Sequence, residues 1–224
     1  MLDLRLGDCL QLLKEIPDKS VDLVLTDPPY GIGEAAGKNK SRGLLAVSKD
    51  YGNASWDNER ITGFVPHVLR VAKHAIIFGG NYYADLLPPS SCWLVWDKDN
   101  GATDFADCEL AWTNFPTAVR RFKWRWQGML QEDMGRKEER VHPTQKPVAL
   151  MEWILTKYTS EGDTVLDCFM GSCSTGVACV RLNRNFIGME IDPHWFEVAQ
   201  MRIKEAQTGV SVKEQQMGMR GLYD

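Results

Sequence analysis

The stretch Leu23-Val24-Leu25-Thr26-Asp27-Pro28-Pro29-Tyr30 constrains the fold most. A short, largely apolar run from Val21 to Leu25, β-branched at two places, stops at a carboxylate, two prolines and an aromatic ring. Such a run predicts a buried strand. In an open α/β sheet, chemistry gathers just past the carboxyl ends of the strands. The segment therefore sets Asp27 and Tyr30 at such an end, on a backbone stiffened by Pro28 and Pro29, whose φ angles are fixed. A carboxylate and a nearby backbone carbonyl both accept hydrogen bonds from an amino group, and a flat ring stacks on a flat base. Together they would grip the exocyclic amine of a nucleobase. The plainer alternative is a strand end, a turn and a surface tyrosine.

The rest of the chain supplies the context. Leu2 to Leu6 alternates as a strand, Gly7-Asp8-Cys9 turns, and Leu10 to Ile16 forms a short helix ended by Pro17. Asp8 then sits on the same rim as Asp27, or simply caps its helix. Residues 61–72 have helical spacing, 75–78 form a strand, 82–87 a short helix, and 92–96 a further strand. Strand and helix alternate, which indicates a largely parallel sheet. Residues 148–158 and 193–206 read as helices; 164–167 and 185–190 read as strands, each closing on an acid, Asp167 and Glu190.

Two stretches depart from this rhythm. Gly31 to Asn58 is rich in Gly, Lys, Ser and Asn, and reads as a long loop directly after the Asp27 strand. Loops of that length are usually functional or disordered. A lid over a bound base would suit it, with Lys38 and Lys40 meeting phosphates; a solvated loop is the alternative. Residues 109–112 and 118–126 look like a β-hairpin or paired strands. In the second run Arg121, Lys123 and Arg125 alternate with Phe122, Trp124 and Trp126, so period 2 separates cations from aromatics. The cationic face could meet a DNA backbone, or be the wet face of an ordinary antiparallel strand. Residues 127–140 are polar and read as a mobile loop.

Composition sets outer limits. The 224 residues suffice for one domain, and 44% hydrophobic with 25% charged residues is ordinary for a globular protein. No stretch is apolar enough to span a membrane, and Asp3 and Arg5 interrupt any signal peptide, so a cytoplasmic protein is expected. Six scattered cysteines, none in a Cys-x-x-Cys pair, suggest free thiols with neither zinc nor disulfides. A net charge of −4 argues against a general nucleic-acid coat protein, but a DNA enzyme needs only a local basic surface.

Strand, Gly-containing turn, helix, strand and acid, over residues 164–190, is the layout of a nucleotide-type cofactor site. The dinucleotide fingerprint is absent: Gly171 and Gly176 bracket Ser172 and Cys173, and no Lys follows as in a P-loop. A cofactor with an adenosine but no phosphates fits better. S-adenosyl-L-methionine is such a molecule, with its amino-acid end at the loop and helix start and its ribose at Glu190.

Three segments together, Asp27-Pro28-Pro29-Tyr30, His142-Pro143-Thr144-Gln145-Lys146-Pro147 and Asp167-Cys168-Phe169-Met170-Gly171-Ser172, resemble the motifs of amino-group DNA methyltransferases. The catalytic motif precedes the cofactor loop, a permuted order that resembles the β class. The likeness covers residues 3–206. It implies a Rossmann-like α/β methyltransferase fold, with a largely parallel sheet and helices on both faces. It further implies a single domain over 1–224, a lid at about 31–59, a small target-recognition insertion at about 97–141 and a flexible tail at 208–224. The implied activity is transfer of a methyl group from S-adenosylmethionine to N6 of adenine in DNA, by base flipping and direct transfer. N4-cytosine methylation and an inactive DNA-binding module are the alternatives. Asp27, Pro28, Pro29 and Tyr30 would be catalytic. Asp8, Cys9, Asp27, Thr144, Lys146, Asp167, Phe169, Gly171, Ser172 and Glu190 would bind the cofactor, although Phe169 could equally be core and Lys146 could cap a helix start. The resemblance also suggests a homodimer and a place in a restriction or regulatory system. One departure stands out: the family loop usually reads Gly-Ser-Gly, and Cys173 replaces the second Gly, which would narrow the turn.

Overall fold

The computed structural model describes residues 1–32, 60–101, 106–127 and 130–211. Its elements in chain order are β1 (Leu2–Leu6), α1 (Cys9–Leu12), β2 (Val21–Thr26), α2 (Phe64–Val71), β3 (Ala72–Phe78), β4 (Trp93–Asp97), β5 (Cys108–Thr113), β6 (Arg120–Lys123), β7 (Trp126–Gln127), β8 (Leu130–Gln131), α3 (Val148–Tyr158), β9 (Thr164–Asp167), α4 (Ser174–Arg181), β10 (Asn185–Glu190) and α5 (Pro193–Thr208). Most of the expected lid, with Lys38 and Lys40, lies outside the described residues, as does the tail from residue 212 onward.

Among the described residues, eight strands form one sheet in the order β1-β10-β9-β2-β3-β5-β4-β6. The five from β1 to β3 run parallel, and β5 runs antiparallel to both of its neighbours. Side chains alternate across the sheet as period 2 demands. Leu23, Leu25, Ile76 and Phe78 pack beneath α3, α4 and α5. Val24, Ala75 and Ile77 face the opposite way, onto α1 and α2. Both faces are thus covered, which is why Leu23–Leu25 of β2 and Ala75–Phe78 of β3 are unbroken apolar runs. The expected α/β layering holds.

Three local readings are corrected. Residues 109–112 and 118–126 do not form a hairpin with each other: β4 lies between β5 and β6 and pairs with both. The preceding strand took the slot that the hairpin reading gave to a neighbour in sequence. The strand expected from Ala75 begins at Ala72, directly after α2, because Val21 and Leu23 of β2 already pair with Ala72 and His74. Lys19 Nζ donates to the carbonyls of Leu69 (2.8 Å) and Ala72 (2.7 Å), so the helix ends without a loop. The helix expected at 82–87 is only a 3-10 turn at Gly80–Tyr82.

The sheet order explains the placement of the chemistry. β1, β10, β9 and β2 are neighbours and parallel, so their carboxyl ends stand in a row. Glu190 and Asp167 end β10 and β9, and Gly7-Asp8 and Asp27 follow directly on β1 and β2.

Candidate active site

Along this row runs a cavity of about 480 Å³. All ten residues that sequence reasoning assigned to cofactor binding line it: Asp8, Cys9, Asp27, Thr144, Lys146, Asp167, Phe169, Gly171, Ser172 and Glu190. Several hold the wall together as well. Asp8 caps α1, its carboxylate accepting from Leu10 N at 2.8 Å. Phe169 packs edge-on against Phe64, with centroids 5.2 Å apart, so it is both core and cavity wall.

Glu190 ends β10 and accepts from the backbone amides of Gly171, Ile191 and Asp192, each at 2.9 Å. Burial pushes its carboxyl up, and these amides oppose the rise. Asp167 bridges three elements: it accepts from Thr26 of β2 at 2.8 Å, Thr175 of α4 at 2.9 Å and Phe169 N at 3.2 Å. Burial nevertheless pushes its carboxyl up to about 6. Asp167 is therefore a hub joining the Asp27 strand to the loop after β9.

Cys173 sits in the left-handed region, at φ +65°. Its side chain is fully buried among the core residues beside Val177 and Phe186. It does not line the cavity, whereas Ser172 and Ser174 on either side do. The thiol fills space left by Gly176, where an added Cβ would lie 2.4 Å from Cys173 Sγ. The departure from Gly-Ser-Gly thus enlarges the core behind the loop rather than intruding on the cavity.

Asp27 follows β2 and opens into the cavity. Its Oδ1 accepts from the Tyr30 hydroxyl at 2.5 Å, and its Oδ2 pairs with Lys146 Nζ. Burial pushes the Asp27 carboxyl up, and the Lys146 ammonium opposes that. Lys146 is itself almost fully buried; burial would strip its proton, but Asp27 and Glu109 outweigh it and hold its pKa above the usual lysine value. The Tyr30 ring stacks on Tyr82, with centroids 4.8 Å apart and planes 18° apart. Pro28 is buried, and the Pro29 carbonyl accepts from Tyr83 Oη at 2.5 Å. The motif backbone is thereby tied to the turn after β3.

Sequence reasoning missed four contributors. His142 and Trp195 line the cavity and meet edge to face at 4.2 Å. Burial, with the charges of Arg202 and Lys146, pushes His142 down to about 3, so its ring is neutral. Arg202 of α5 donates to the Ser172 carbonyl at 2.5 Å and to Glu138 at 2.7 Å. Glu138 also accepts from Gln145 Nε2 and Val148 N, which ties this end of the 127–140 stretch to the start of α3. Their signals were faint: His142 opens a segment already singled out, and Trp195 follows the Glu190 strand by five residues.

The cationic run lies at the other edge of the sheet. Arg121 faces Asp97 at 3.7 Å, and Lys123 faces Asp99 at 2.9 Å; Arg125 also pairs with Asp99. Two acids therefore offset part of the positive face. Phe122 stacks on Trp124 and Trp153, as the alternation predicts. Among the described residues no helix is long and apolar enough to cross a membrane, and no His, Cys, Asp and Glu cluster is arranged to hold a metal.

Comparison with known proteins identifies the family. Residues 88–201, just over half of the chain, match the N6/N4 methylase model described as "DNA methylase". The Type II methyltransferase M.HpaI of Haemophilus parainfluenzae is 26% identical over 94% of this chain and 77% of its own length. The crystal structure of the M1.HpyAVI–SAM complex is similar at 27% identity and TM-score 0.56, covering 91% of this chain and 99% of that one. The PvuII DNA methyltransferase, titled cytosine-N4-specific, shares the fold at TM-score 0.58 and 18% identity, over 90% of this chain and 86% of its own. The chain belongs to the N6/N4 DNA methylase family of amino-group DNA methyltransferases.

Proposed function

We propose that this protein methylates the N6 amino group of adenine in DNA, with S-adenosylmethionine as methyl donor. The observation that carries the reading is the junction of two sites. Asp27 both begins the Pro-stiffened segment Asp27-Pro28-Pro29-Tyr30 and opens into the cavity lined by Glu190, Gly171 and Ser172.

The cavity suits a donor of this kind. Glu190 is an acid at a strand end where ribose hydroxyls are ordinarily held. Phe169 and Trp195 offer flat apolar surface. Lys146 is the one lysine or arginine among the described lining residues, and it is engaged by Asp27, so nothing there is poised for phosphates. S-adenosylmethionine supplies an electrophilic methyl group on a sulfonium.

The chain's own residues do the rest. A base inside the duplex stack cannot present its amino nitrogen for in-line attack, so it must leave the stack. Tyr30 offers its ring to the flipped base. Asp27 and the Pro28 carbonyl accept hydrogen bonds from the amino group, which orients its lone pair. Two of the lone-pair positions on Asp27 are taken by Tyr30 and Lys146, and a carboxylate has about four. No cysteine nucleophile is required, and positioning supplies much of the rate. Arg121, Lys123 and Arg125 would meet the DNA backbone, with residues 97–141 reading the target.

The test is incubation with radiolabelled S-adenosylmethionine and unmethylated DNA, digestion to nucleosides and identification of the labelled one. Label in N6-methyladenine is expected. Label in N4-methylcytosine would move the substrate to cytosine, and no label in either would overturn the reading.

A further inference from the structure

Glu109 lies in β5, outside the three motif segments that carry the family resemblance, yet it reaches the rim of the site. β5 runs antiparallel to β3, with Phe78 opposite Ala111. Glu109, two residues before Ala111, therefore stands beyond the carboxyl end of β3. In the sheet, β3 separates β2 from β5, so Asp27 and Glu109 flank it on either side. Lys146 bridges them: its ammonium lies 4.7 Å from the centre of the Phe78 ring, paired with Asp27 and 3.2 Å from Glu109 Oε2. Lys98, just past β4, closes the row at 2.6 Å from Glu109 Oε1. Charges thus alternate along Lys98, Glu109, Lys146 and Asp27.

Glu109 Oε2 is buried and faces the Lys146 ammonium as an ion pair at 3.2 Å. Its service here is its charge.

We propose that Glu109 is a positioning residue for methyl transfer, holding the Lys146 ammonium between two carboxylates so that the Asp27 carboxylate keeps acceptor positions open for the target amino group. This rests on the role given to Asp27 above. Alone with Asp27, Lys146 would draw the carboxylate's charge to itself and compete with the substrate. Shared with Glu109, it grips Asp27 less.

The charged and titratable groups facing Asp27 are Lys146 and Tyr30 in contact, Glu109 beyond Lys146, and Asp167 on the adjacent strand. Tyr83 faces Tyr30, His142 faces Lys146, and Lys98 backs Glu109. Burial pushes Glu109 up, but Lys146 and Lys98 more than offset it and leave it at about 2, so it is charged throughout the working range. Removing its charge should lower the proton affinity of Asp27; removing either lysine should raise it.

The test reads the Asp27 carboxyl directly, by 13C NMR on protein labelled at aspartate, with the resonance assigned from D27N. Glu109→Gln should move the titration midpoint down by about one pH unit. Lys98→Met and Lys146→Gln should move it up. The acid limb of kcat should follow the midpoint in E109Q and K98M, and kcat of E109Q should fall at least tenfold with cofactor affinity unchanged, because Glu109 does not line the cavity. Should E109Q fail to fold, K98M at the open end of the row carries the same test. Midpoints that stay fixed, or that move the same way in E109Q and K98M, overturn the proposal. Midpoints that move as stated in a protein that methylates no DNA would leave the charge row standing and remove the transfer reading instead.

Discussion

Gly79 is where a single methyl group should separate binding from chemistry. It follows β3 in the left-handed region, at φ +63° and ψ 24°. A Cβ there would lie 2.1 Å from Tyr30 Cε1, 2.5 Å from Cζ and 2.7 Å from Cδ1. Carbon atoms at rest sit at about 3.5–4.0 Å. In Gly79→Ala the tyrosine ring must therefore retreat by more than about 1 Å, breaking register with Asp27 and Tyr82. The left-handed alanine costs roughly 1 kcal/mol, and the displaced ring about 2 kcal/mol more. The melting temperature should fall by about 9 °C, at roughly 3 °C per kcal/mol for a chain of this size. A misplacement of about 1 Å costs on the order of 100-fold in rate. Neither Gly79 nor Tyr30 lines the cavity proposed for the cofactor, so cofactor affinity should stay within about twofold. Single-turnover methyl transfer, calorimetric titration of the cofactor and thermal melting decide it. A folded G79A enzyme with a wild-type rate would refute the role given to Tyr30.

Three further outcomes follow from the same geometry. Asp167, raised to about 6 by burial, favours the fold when protonated. Its contribution is complete below the unfolded value near 4 and is lost as pH rises through about 6, about 3 kcal/mol in all; the stability of wild type relative to Asp167→Asn, by urea unfolding, should decline by about that amount from pH 4 to pH 7. Arg202→Met should cost about 3 kcal/mol, because Glu138 loses its buried ion-pair partner, and should raise the cofactor KM because the Ser172 carbonyl is released; an unchanged KM would separate Arg202 from the site. Cys173→Gly trades relief of a left-handed cysteine, roughly 1 kcal/mol, against a small cavity worth about the same, so melting and cofactor affinity should both stay close to wild type.

Much of this site was legible because it follows local rules. Asp27, Asp167 and Glu190 each end an apolar run, and in a parallel sheet such ends share one rim. Asp8 and Asp192 cap helices as their positions before α1 and Pro193 require. What escaped notice depends on partners distant in sequence. Glu109 lies in an ordinary-looking strand, and only the antiparallel insertion of β5 beside β3 carries it to the rim. The order β5-β4-β6 depends on which edge the chain returns to, which no local pattern encodes. Cys173 looked like an obstruction because a turn residue shows its type in the sequence but not its direction; the direction is set by the space that Gly176 leaves. The alternation of Arg121, Lys123 and Arg125 was visible, but Asp97 and Asp99, which offset those charges, come from the end of β4 and the turn after it.

The most direct test of the account is the Asp27→Ala enzyme, compared with wild type for single-turnover transfer of labelled methyl to DNA and for cofactor affinity in parallel. The account predicts no labelled base from the variant, with cofactor binding at least partly retained. Normal turnover by D27A would contradict it.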